Sequence, residues 1–160
     1  MTMTRIYIPN ACYHIYNRGN QKQSIFIDKS DFEFYLAQLK RYKKRYSLLL
    51  YGYCLMPNHV HLLGEPKEPD GLSTMIQCLH RSYTAYFNNK YKKVGHLWQD
   101  RFKVKIILKD EYLLQCISYV EQNPVRANLV ENLEDYKFSS FTERCLSLES
   151  RGCLLDRINV

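Results

Sequence analysis

Residues 48–64 constrain the fold more than any other part of the chain. They read Leu-Leu-Leu-Tyr-Gly-Tyr-Cys-Leu-Met-Pro-Asn-His-Val-His-Leu-Leu-Gly. The nearly unbroken apolar run from Leu48 to Leu55 predicts a buried, central strand, because a strand covered on both faces has no reason to alternate. Pro57-Asn58 breaks the run as a turn. His59 to Gly64 then returns as a neighbouring strand.

The flanking segments extend this hairpin into a sheet. Cys12 to Arg18 is aromatic-rich and stops at Gly19, so it reads as a first strand followed by a polar loop over 19–24. A helix is predicted from Ser30, with Asp31 and Glu33 in its first turn and Lys40, Arg41, Lys43, Lys44 and Arg45 at its end, charges that complement the helix dipole. Leu72 to Tyr91 carries Met75, Ile76, Leu79, Tyr83, Tyr86 and Phe87 on one face and reads as a second long helix, with His80 expected on its polar side beside Arg81. A Gly- and Trp-containing loop over 92–101 leads to a strand over 102–108. A third helix runs from Asp110-Glu111 to about Gln122, ending before Pro124, since the residue preceding a proline is pushed out of helical geometry. A short helix over 125–130 follows. The order β-α-β-β-α-β-α implies an α+β, ferredoxin-like antiparallel sheet with helices packed on one face.

A chain of 160 residues suits one compact domain. No stretch approaches the roughly 20 apolar residues that span a bilayer, and Met1 to Asn10 lacks a signal-peptide core, so a cytoplasmic location is expected. The six cysteines are scattered without a Cys-x-x-Cys pair, which argues for reduced thiols over disulfides or a zinc ribbon. Charge is unevenly distributed. Residues 1–109 hold 18 basic and 7 acidic side chains, net +11, whereas residues 110–160 hold 5 and 9, net −4. That asymmetry points to a polyanion bound by the first two-thirds of the chain, with nucleic acid the leading candidate. Fourteen tyrosines interleaved with lysines suit stacking on unpaired bases.

Two constellations carry chemistry. On a strand His59 and His61 project to one face while Val60 points away, so the two imidazoles can share a metal ion. On a helix Tyr119 lies beside Gln122 and Asn123, a phenol one turn from neutral oxygen ligands. Each has a structural alternative: a pair of polar side chains on the sheet, and a core tyrosine with a capping asparagine.

Five collinear stretches together resemble a known family. They are Tyr13-His14-Ile15-Tyr16-Asn17-Arg18-Gly19 with Ile25-Phe26, Tyr53 through Met56-Pro57-Asn58-His59-Val60-His61-Leu62, Gly95-His96-Leu97-Trp98-Gln99-Asp100-Arg101-Phe102, Tyr119 through Asn123-Pro124-Val125-Arg126-Ala127, and Tyr136-Lys137-Phe138-Ser139-Ser140. The chain resembles the single-tyrosine HUH transposases of the insertion-sequence type, in their REP-associated branch, over residues 1–141. Residues 142–160 form a C-terminal tail that matches no pattern, and Phe138 stands where the family usually has Trp.

The resemblance implies a metal-dependent transposase and single-strand endonuclease. His59 and His61 would hold one divalent ion, Mg²⁺ or Mn²⁺, with Asn123 as third ligand in preference to Gln122. Tyr119 would attack the scissile phosphate, giving a 5′-phosphotyrosine that a second 3′-hydroxyl can resolve without ATP. A free phenol has a pKa near 10, so such a nucleophile needs assistance. The implied partner is a DNA hairpin with an unpaired flank, bound by a monomer or a homodimer, with Arg18, Lys22, Trp98, Arg101 and Lys103 as DNA-binding candidates. His14, outside these motif roles, sits on a neighbouring strand, where it either packs structurally or supports the metal ligands. The rival readings are a non-catalytic nucleic-acid-binding domain and a metallohydrolase that activates water.

Overall fold

The computed structural model describes residues 7–108, 111–145 and 153–158. Four antiparallel strands, β1 (Cys12–Arg18), β2 (Leu48–Met56), β3 (His59–Pro66) and β4 (Lys103–Ile107), form one sheet in the order β2-β3-β1-β4. The long helices α1 (Lys29–Arg45) and α2 (Gly71–Tyr91) connect them, and α3 (Glu111–Glu121), α4 (Asn123–Arg126) and α5 (Ser140–Cys145) follow. This is the expected α+β architecture.

The two long helices cover one face, as the pattern predicts. Tyr13 and Ile15 of β1, Tyr53 and Leu55 of β2, and Val60 and Leu62 of β3 are buried there against Tyr35 and Leu39 of α1 and Met75, Ile76, Leu79, Tyr83 and Phe87 of α2. The expectation of helices on one face stops at these two. On the other face, Cys12, Cys54, Met56, Leu63 and Ile107 pack against Leu113, Ile117 and Val120 of α3. The cause lies in the strands: Cys54, Met56 and Leu63 are apolar on that face and need cover.

β2 lies at the sheet edge, not at its centre. Its continuous apolar run reflects burial on both faces, which sets the pattern whatever the lateral position. Its free edge is covered by later chain. The Leu55 amide donates to the Phe138 carbonyl (2.9 Å), the Asp156 amide donates to the Leu50 carbonyl (2.8 Å), and the Leu50 amide donates to Asp156 Oδ2 (2.7 Å). A bulge at Tyr51 turns its hydroxyl toward Glu65 Oε2, 2.6 Å away.

The remaining differences are local. α1 starts at Lys29, one residue before the expected Ser30, because Asp28 caps it in a reciprocal box with Asp31. Asp31 is fully buried and also receives Lys90 Nζ (2.8 Å) and the Tyr91 hydroxyl (2.7 Å), which fastens the end of α2 to the start of α1. His80 is buried, not on a polar face: positions 76, 80, 83 and 87 form one stripe along α2. The helix expected over 125–130 is the single turn of α4, which ends where Asn128 adopts φ 53°. Phe138 fills its place by stacking on Phe32, with ring centres 4.0 Å apart. None of the six cysteines is in a disulfide among the described residues; Cys12 and Cys54 are buried, and Cys145 is exposed. No helix among the described residues is long and apolar enough to cross a membrane.

Candidate functional site

His59 and His61 lie on β3, flanked by β1 and β2, and project from the face that α3 packs against. Each ring has its Nδ1 engaged. His59 Nδ1 is 2.6 Å from Asn58 Oδ1, which can only accept, so His59 donates there. His61 Nδ1 is 2.9 Å from His14 Nε2. Both Nε2 atoms are therefore the ones left for a ligand, and the rings sit edge to face with centres 5.0 Å apart.

Electrostatics keep all three imidazoles uncharged at neutral pH. Burial, helped by neighbouring His14 and His59, pushes His61 down to about 3. Burial and the Lys105 charge push His14 down to about 4. Burial and Arg18 lower His59. A neutral imidazole retains the lone pair that a cation needs. Among the described residues no three His, Cys, Asp or Glu side chains gather as a metal site. A third protein ligand of another kind, such as a carboxamide, fits that donor set.

Tyr119 and Asn123 straddle the junction of α3 and α4. Asn123 Nδ2 donates to the carbonyls of Val120 (3.0 Å) and Tyr119 (3.3 Å), which directs its amide nitrogen into the helix end and leaves the lone pairs of Oδ1 for a ligand. Gln122 Nε2 instead donates back to Ser118 Oγ (2.9 Å). Tyr119 is 49% exposed, on the surface of the domain. The guanidinium of Arg126 lies over its ring at 4.7 Å. Glu121, buried at the end of α3, accepts Ser140 Oγ (2.6 Å) and Arg144 (3.0 Å), and Arg144 also donates to the Tyr51 carbonyl (2.7 Å). These bonds tie the Tyr119 helix to β2 and α5.

Cross-strand register sets the basic side chains around the histidines. Cys54, His61, Tyr16 and Lys103 form one row across the sheet, and Met56, His59 and Arg18 the next. Lys105 pairs with His14 in the row on the other side of His61. At adjacent-strand spacing, Lys103 stands about 10 Å along the sheet from His61.

The loop over 95–102 is tied to this edge. The Gly19 amide donates to Asn58 O (2.8 Å), Asn20 to Leu97 O (2.8 Å) and Gln99 to Arg18 O (3.0 Å). A Cβ at Gly19 would sit 2.3 Å from the Gln23 carbonyl, so only glycine allows this approach. Arg18 Nε also donates to Gln99 Oε1. Lys22 is exposed on the same turn, with φ 59°. Between this loop and α2 lies a cleft of about 730 Å³, lined among others by Arg81, His96, Trp98, Gln99 and Arg101. One face of Trp98 is already stacked on His80 (4.0 Å) and its Nε1–H donates to Thr84 Oγ1 (3.1 Å), so only its other face is available to a ligand. Lys43, in the basic end of α1, is committed to Asp156 and the Leu154 carbonyl.

Comparison with known proteins now bears on these residues. The family model of IS200-like transposases matches residues 7–123, a span that includes every residue from β1 to Asn123. The chain belongs to the IS200-like transposase family. A Haemophilus influenzae protein named as a REP-associated tyrosine transposase is 33% identical over 99 residues, which are 55% of this chain and 56% of that protein. The match thus spans little more than half the length of that relative. Among solved structures, a REP-associated tyrosine transposase bound to a REP hairpin superposes with a TM-score of 0.71 at 17% identity, covering 98% of this chain and 95% of the other. A Deinococcus radiodurans protein described as a transposase gives 0.52 at 19% identity, over 76% and 97%. These likenesses establish the shared fold.

Motif reading singled out the histidine pair, Tyr119 and Asn123 but missed their supports. Asn58, Glu121, Arg126 and Arg144 went unassigned. The available signal was adjacency: Asn58 precedes His59, and Arg126 follows Tyr119 by two helical turns.

Proposed function

We propose that this protein cleaves and rejoins single-stranded DNA beside hairpins through a covalent tyrosine intermediate. The observation that carries the reading is the histidine pair: two neutral imidazoles, each with Nδ1 engaged and Nε2 left for a ligand, on the sheet face that α3, the helix of Tyr119, packs against through Leu113, Ile117 and Val120. His59, His61 and Asn123 would hold a divalent ion, Mg²⁺ or Mn²⁺; when bound, it would orient the scissile phosphate and offset charge as phosphorus becomes five-coordinate.

Tyr119 supplies the nucleophile. Its oxygen forms a bond to phosphorus, the bond from phosphorus to the 3′ oxygen breaks, and the phenolic proton leaves to solvent while the departing oxygen becomes a 3′-hydroxyl. The resulting diester keeps roughly the energy of the bond it replaced, so attack by a second 3′-hydroxyl restores DNA and releases the tyrosine. A water-activating hydrolase could not rejoin strands.

Arg18, Lys22 and Lys103 border the histidine rows and suit the phosphate backbone, which fixes position without reading sequence. Arg101 and the free face of Trp98 lie in the cleft beside them, where an unpaired base can stack. A solved relative bound to a REP hairpin supports a DNA hairpin as the substrate, and the unpaired flank is our own addition to that reading. The working part is residues 1–141, to which Arg144 and Asp156 of the following segment are bonded, and it acts on DNA in the cytoplasm.

Incubation with labelled hairpin DNA and Mn²⁺ tests the metal requirement. Cleavage should vanish in excess EDTA and in His59→Ala and His61→Ala proteins that remain folded. Full cleavage in EDTA contradicts the reading.

A further inference from the structure

We propose that His14 is a positioning residue that fixes the proton and the orientation of the His61 ring, so that His61 presents a lone pair at Nε2. The inference rests on the reading of His59 and His61 as metal ligands and goes beyond it.

The geometry is specific. β1 and β3 pair so that Tyr16 faces His61 and His14 faces Leu63, which makes His14 and His61 diagonal neighbours on one sheet face. Their ring centres are 5.1 Å apart with planes at 30°, and His14 Nε2 lies 2.9 Å from His61 Nδ1. Tyr16 closes the other side, 5.1 Å from His14 and 6.1 Å from His61. The His14 ring thus has little freedom to turn away.

One hydrogen occupies the gap between the two nitrogens, and it can belong to either ring. If His14 donates, neutral His61 carries its own proton on Nε2 and offers a cation nothing. If His61 donates, its Nε2 has the lone pair and His14 holds its proton on Nδ1. Cation binding selects the second arrangement, with His14 as acceptor. An acceptor behind a ligating imidazole fixes the tautomer and raises the basicity of the ring, a role commonly filled by a carboxylate or a carbonyl. Asn58 Oδ1 stands in the same relation to His59 at 2.6 Å. Each histidine of the pair therefore has its own acceptor, one from the β2–β3 turn and one from β1.

Calorimetric titration of the DNA-free protein with Mn²⁺ tests this without reference to catalysis. His14→Phe keeps the ring volume and removes the acceptor, and should weaken Mn²⁺ binding about 10- to 100-fold. His14→Gln keeps an acceptor oxygen and should recover part of the loss. The visible spectrum of a Co²⁺-loaded His14→Phe protein should match wild type, since the ligands are unchanged. Mn²⁺ affinity within twofold of wild type in His14→Phe, alongside its loss in His61→Ala, would overturn the role of His14 and leave the metal site standing. Wild-type affinity in both His59→Ala and His61→Ala would remove the site itself. A changed Co²⁺ spectrum in His14→Phe would make His14 a ligand and overturn its positioning role.

Discussion

The guanidinium of Arg126 lies 4.7 Å from the centre of the Tyr119 ring, across the break between α3 and α4. Such a contact contributes about 0.5–1 kcal/mol at an exposed site and restricts the ring. Under the proposed role of Tyr119, it also keeps a cation close to the phosphate that Tyr119 would attack. Replacing Arg126 with Ala should slow covalent adduct formation about tenfold, roughly 1.4 kcal/mol of activation energy, and change DNA affinity less than threefold. Lys should restore part of the rate. Single-turnover kinetics on a labelled hairpin would measure both, and an unchanged rate would show that the contact is only packing.

Gly19 is where three segments meet, and any side chain there collides with the Gln23 carbonyl. Gly19→Ala should destabilise the fold by about 1–3 kcal/mol, the usual cost of overpacking. It should also loosen the loop carrying Trp98 and Arg101. Urea denaturation and hairpin affinity should therefore both respond, whereas Gly71→Ala, which meets nothing closer than 3.6 Å, should leave binding unchanged.

The Glu121–Arg144 pair anchors the Tyr119 helix. Removing one partner of a buried pair costs about 3–5 kcal/mol, and the 28% exposure of the Arg144 side chain lowers that to about 2–3 kcal/mol for Arg144→Ala. Thermal melting would read the loss, and wild-type stability would contradict the anchoring.

Asp31 gives a pH dependence. Burial alone would raise its pKa, but hydrogen bonds from Lys90, the Ile27 amide, Tyr91 and the Asp28 amide outweigh it and hold the carboxyl below its ordinary value. A depressed carboxylate contributes stability that is complete above its unfolded pKa of about 4 and is lost as pH falls through the lower folded value. The stability gap between wild type and Asp31→Asn should thus be constant from pH 5 to 7 and shrink below pH 4. Urea titrations at several pH values would show it; a gap that widens in acid would contradict the assignment.

Strandedness should govern DNA binding. A duplex hides its base faces, so the free face of Trp98 can serve only unpaired bases. A hairpin with a single-stranded flank should bind more tightly than a fully paired duplex of equal length, and both should weaken steeply with salt. Arg18→Ala and Arg101→Ala should cost more affinity than Lys43→Ala, because Lys43 is held by Asp156. Equal affinity for the two DNAs at one salt concentration would favour a generic basic surface.

Much of this architecture was legible in the residues. The strand and helix order followed from periodicity, and the histidine pair from the period-two geometry of β3. The sheet position of β2 was not legible, because an apolar run reports cover on its faces and not its lateral neighbours. His80 looked polar by type, although its place between Ile76 and Tyr83 put it on the buried stripe. Arg144 reaches Glu121 through a chain crossing between distant segments, which local pattern does not encode; His14 could be put on a neighbouring strand, but its diagonal place beside His61 depends on register.

The central claim is that Tyr119 becomes covalently joined to DNA. Wild-type protein, Mn²⁺ and 5′- or 3′-labelled hairpin substrate should give a denaturant-resistant adduct that retains only the label on the 3′ side of the cut, as a 5′-phosphotyrosine requires. Tyr119→Phe should give no adduct while binding the hairpin within a few fold of wild type. An adduct of undiminished yield in Tyr119→Phe would contradict the account.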